Sequence, residues 1–69
     1  MKHTRRRRLF RPSRSQINHQ MRRMRTLLNL FRTEWLLEAQ HEQPRPAHLR
    51  SVHDRIGEIN DEIAWLGQQ

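Results

Sequence analysis

Two prolines separated by a single residue, Pro44 and Pro46, divide this chain and restrict what it can fold into. Proline lacks the amide donor that a helix interior needs, and its ring clashes with the preceding turn, so no helix crosses Gln43-Pro44-Arg45-Pro46. Pro46 is instead suited to the first position of a new helix. On either side of the break lies an apolar seam. Ile17, Met21, Met24, Leu28, Phe31 and Trp35 follow one another at spacings of four, three, four, three and four. Leu49, Val52, Ile56, Ile59, Ile63 and Leu66 follow at three, four, three, four and three. Both are heptad patterns, and a short link makes two such helices antiparallel neighbours. The expected fold is all-α, an antiparallel two-helix hairpin whose core is these two seams. Its expected parts are an arm over 1–13, a helix over 14–42, the turn over 43–46, a helix over 47–66 and a tail over 67–69. Ser13 or Ser15 starts the first helix, and Ser13 with Gln16 fits a capping box. Gly67 suits a helix stop, and Gly57 is expected to admit a bulky neighbour such as Phe31.

A chain of 69 residues without cysteine has few means of standing alone. Domains of roughly 60 residues bury only about 60% of the surface that their unfolded chains expose. Disulfides are excluded by composition, and self-association becomes the expected remedy. The first helix also carries more apolar surface than one seam uses. Leu27, Leu30 and Leu37 lie well away from the Leu28 face, and Leu36 points in a third direction. A helix that is apolar nearly all round is normally buried on several sides. Leu27, Leu30, Trp35, Leu36, Leu37 and Trp65 are therefore expected to contact a second copy or another partner, with a homodimer forming a four-helix assembly.

The formal net charge is +7. Its whole excess falls in the first fourteen residues, which hold Lys2, Arg5, Arg6, Arg7, Arg8, Arg11 and Arg14 and no acid. Residues 15–69 balance seven arginines against seven carboxylates. A run of like charge repels itself and tends to remain disordered, often as an interaction tail. A flexible basic arm is expected, with Arg5, Arg6, Arg7, Arg8, Leu9, Phe10 and Arg11 as its partner-binding segment. The bland alternatives are a solvated tail and local packing of Leu9 and Phe10. In the antiparallel register, Glu38 is expected opposite Arg50, and Arg22, Arg23 and Arg25 opposite Glu58, Asp61 and Glu62. Such matching leaves the arm as the free positive element.

Catalytic chemistry finds no support. The five histidines are His3, His19, His41, His48 and His53, and none forms an HExxH-type metal spacing. Ser51, His53 and Asp54 are triad residue types, but on one short helix they point in different directions. With only Gly57 and Gly67 there is no glycine-rich phosphate loop. No enzyme activity, cofactor or metal is expected. No apolar run approaches the roughly 18 residues of a membrane span. The segment from Met1 to Arg8 is basic without the apolar stretch of a secretory signal. A cytoplasmic location follows as the expectation.

Function is therefore expected to be binding, and two readings compete. In the first, the chain inhibits or modulates a regulatory protein through surplus apolar surface and paired arms. In the second, a helical-hairpin dimer binds nucleic acid, with the basic arm on phosphates and no base-specific motif. Membrane-surface binding through Leu9 and Phe10 ranks below both, because the arm is short and weakly apolar.

In length, and in the layout of a basic arm followed by a Ser13–Leu66 hairpin, the chain resembles the small phage-encoded anti-activators that suppress quorum sensing. That resemblance implies a dimeric helical hairpin in the host cytoplasm. It would block the DNA-binding domain of a LuxR-type activator and also bind a type IV pilus assembly ATPase. It places the inhibitor reading first. A basic arm should repel a basic DNA-contact face, so this reading calls on apolar residues or on acidic ones such as Glu34, Glu38, Asp61 and Glu62.

Overall fold

A computed structural model describes residues 12–69 of the chain. These form two helices packed on each other, α1 (Arg14–Ala39) and α2 (Pro46–Gly67), joined by a short turn. The described residues contain no strand. The arm residues up to Arg11, including Leu9 and Phe10, lie outside the described residues.

Ser13 starts α1. Its hydroxyl accepts from the amide of Gln16 at 3.1 Å, while the Gln16 side-chain carbonyl accepts from the amide of Ser13 at 2.8 Å. Two amides that the first turn would leave unpaired are thus satisfied reciprocally. α2 starts differently. Arg45 stands at its cap in an extended conformation with no side-chain bond to the helix, and Pro46 occupies the first turn.

The seams meet where their periods place them. Ile17 and Leu28 of α1, and Val52, Ile59 and Leu66 of α2, are the buried apolar side chains. Met21, Met24, Phe31 and Trp35 on α1 are half-buried, as are Leu49, Ile56 and Ile63 on α2. The core is thin, since none of the described side chains is completely enclosed. Two layers of helix with one shared stripe can do little more than this.

Glu38 sits one step beyond Trp35 on the same seam and is buried, with 6% exposure. Its carboxylate accepts three hydrogen bonds from a single residue. The Arg45 backbone amide donates to Oε2 at 2.8 Å, Nε donates to Oε2 at 3.2 Å, and a terminal guanidinium nitrogen donates to Oε1 at 2.9 Å. The forked guanidinium holds the carboxylate bidentately, and the amide of the α2 cap residue is tied to the end of α1. This arrangement corrects two expectations. The partner of Glu38 is Arg45 in the turn and not Arg50. The first helix ends at Ala39 and not at 42, because residues 40–45 must double back for Arg45 to reach Glu38. Gln40 donates to Leu36 O at 3.1 Å and His41 to Glu38 O at 3.2 Å, which closes the last turn. The second helix runs one residue further at each end than 47–66.

The expected ladder of charges between the helices is absent. Among the described residues the ion pairs are Arg45–Glu38, His48–Glu34 and His53–Asp54. None joins Arg22, Arg23 or Arg25 to Glu58, Asp61 or Glu62. Antiparallel register brings these groups to the same end of the hairpin, yet none of them comes within ion-pair distance of another. Gly57 also departs from expectation: a methyl group placed there would meet nothing within 4 Å, so no bulky neighbour approaches it.

Two measurements follow. The Arg45 guanidinium, and then its amide, lower the Glu38 carboxyl from 4.5 to about 2. The folded chain thus favours the carboxylate, and its stabilisation is complete above pH 4.5 and lost as pH falls toward about 2. Thermal melts of wild type and Glu38→Gln should differ most near neutrality and converge across that interval; a gap that stays constant with pH would contradict this. Gly57→Ala should stabilise the hairpin by about 1 kcal/mol, the helix-propensity difference at an open helical site. Urea denaturation measures it, and a destabilised variant would show that the site is not open.

Candidate interaction surface

The two edges of the hairpin differ in chemistry. Along one edge, α1 carries Arg14, Asn18, Arg22, Arg25, Asn29 and Arg32 at spacings of four, four, three, four and three. That period places all six on one helical face. Each is exposed, and the row contains no acid. From Arg14 to Asn29 it borders an open groove whose α2 wall is formed by Leu66, Gly67 and Gln69. The beginning of α1 therefore lies against the end of α2, as an antiparallel hairpin requires. The wall facing the arginines carries no carboxylate side chain. The sequence gives no sign of this row when charge is only summed. Helical period read for polar residues, as it was for apolar ones, would have revealed it.

Another face of α1, about 100° round the helix from the row, is apolar. Leu30 is 61% exposed and Leu37 62% exposed. They stand seven apart, with the half-buried Leu27 three residues before Leu30. Glu34 lies between them, and its Oε2 meets His48 Nε2 of α2 at 2.9 Å. That contact places Glu34 on the flank of α1 nearest the start of α2. Leu36, 54% exposed, continues the arginine row four residues beyond Arg32. Trp35 and Trp65 are half-buried.

Formal charge is thus segregated by helix. α1 holds five arginines and two carboxylates, while α2 holds two arginines and four carboxylates. The arginines of α1 make no ion pair among the described residues, so positive charge available to a partner extends from the arm onto the hairpin itself. This replaces the expectation of an internally matched body. Glu34 and Glu38 are engaged by His48 and Arg45, whereas Glu58 and Asp61 are exposed and outside any of the ion pairs above.

Nothing in the described residues assembles catalytic geometry. His53 Nδ1 and Asp54 Oδ1 are 4.0 Å apart on a mostly exposed surface, too far for a relay hydrogen bond. No three His, Asp or Glu side chains converge there as metal ligands would. Neither described helix is long and apolar enough to cross a membrane. No protein-family model, curated protein or solved structure matches the chain.

Proposed function

We propose that this chain is a small protein-binding modulator without a catalytic step, working as a pair of hairpins. The observation that carries the proposal is the exposure of Leu30 and Leu37 on a helix whose other side already packs against α2. With Leu27 they form a stripe at heptad spacing, the pattern by which one helix pairs with another. Two hairpins joined there make a four-helix assembly, and the added burial supports a core that is thin in one hairpin alone. Leu36 lies off that stripe and stays accessible to a third chain.

The layout shared with phage anti-activators supplies the partner class, the DNA-binding domain of a LuxR-type activator, with a type IV pilus assembly ATPase second. A DNA-contact face is basic. The groups that suit it are the exposed carboxylates Glu58 and Asp61 together with apolar side chains, while the arm stays clear of it.

Light scattering of the purified chain should give the mass of two copies, and Leu30→Ala/Leu37→Ala should give one. Titration calorimetry with a purified LuxR-type DNA-binding domain should show a complex that weakens at least about tenfold, roughly 1.4 kcal/mol, when Glu58 and Asp61 become Gln. A wild-type chain that is monomeric at micromolar concentration overturns the paired hairpin. Absence of binding to such domains overturns the partner class.

A further inference from the structure

We infer that the arginine and asparagine row of α1 is a second binding edge, one that takes the phosphodiester backbone of a nucleic-acid duplex. This goes beyond the protein-binding reading and uses a different face of the hairpin.

The row is long, straight and of one sign. From Arg14 to Arg32 it covers 18 residue steps, about 27 Å of helix at roughly 1.5 Å per residue. A duplex strand winds around its axis once in about 34 Å, so a straight row of this length meets the few phosphates on the near side of the duplex, a number its four arginines can serve. Arginine fits this chemistry, because its planar fork donates two parallel hydrogen bonds to phosphate oxygens. Asn18 and Asn29 stand among the arginines, and side-chain amides also donate to phosphate and sugar oxygens. No carboxylate side chain on the row or on the facing α2 wall competes for these donors.

Two features argue against other occupants. No apolar side chain interrupts the row before Leu36, so the row itself carries no wedge for a lipid layer. Arg14 also stands in the first turn of α1, where no acid is present. A cation there opposes the helix dipole, a small cost that a bound anion would reverse. Readout of base sequence is not part of the inference, since the row supplies backbone contacts, which position without specifying.

The test uses the full chain and a fluorescently labelled mixed-sequence DNA duplex, with binding read by anisotropy over a range of salt concentrations. Arg22→Gln/Arg25→Gln removes two charges from the row. Arg23→Gln/Arg55→Gln removes two charges of equal sign, both outside the row, and circular dichroism checks that both variants remain helical. The row variant should bind about tenfold more weakly, with a salt slope shallower by about 1.8, two phosphates at roughly 0.9 each. The control should stay within about twofold of wild type, because charges that make no phosphate contact release few counterions. Equal weakening of both variants overturns the inference, since charge would then act without a site. So does a row variant that binds like wild type, or a wild type that binds anionic vesicles but not the duplex.

Discussion

The grip of Glu38 on Arg45 organises this hairpin. A carboxylate at the end of one helix accepts from the amide and guanidinium of the residue that caps the next. The burial of Glu38 is tolerated because its oxygens are fully engaged; among the described residues no buried side-chain polar atom lacks a partner. Arg45 itself remains 69% exposed, so the pair is solvated on one side. Its role is geometric more than energetic: it ends α1, aims α2 back along it and sets which seam residues meet.

The apolar framework was legible from the sequence because the heptad period and the two prolines report the same thing by different physics. Ser13 and Gln16 likewise announced the start of α1, since a capping box is a local arrangement of short reach. Glu38 was not legible. A glutamate at the next seam position reads as the end of the seam, and its partner lies only seven residues away across a turn whose path the sequence does not specify. The charge ladder failed for a related reason. Register places Arg22 near Glu58 along the axis, but contact also requires matching angles about both axes. The exposed leucines were marked as surplus from the sequence, whereas the arginine row emerged only once the groove on its flank was known.

The two edges place different demands on solvent and salt. Leucine contacts depend on apolar area and change little with ionic strength. Arginine–phosphate contacts weaken steeply as salt displaces them. The Glu34–His48 contact ties the flank of α1 to the start of α2 and leaves Leu30 and Leu37 exposed beside it. Leu36, at the far end of the arginine row, is where the apolar and basic characters come closest.

The separation of the row from the leucine stripe bears on valence. If two hairpins join through their leucines, the assembly carries two arginine rows, one on each hairpin. Such a particle is bivalent, and engaging one row raises the local concentration of the second near any duplex segment within reach. Modest affinity per row would then suffice to hold two segments together, and the protein would act as a cross-link whose strength depends on spacing as much as on contact.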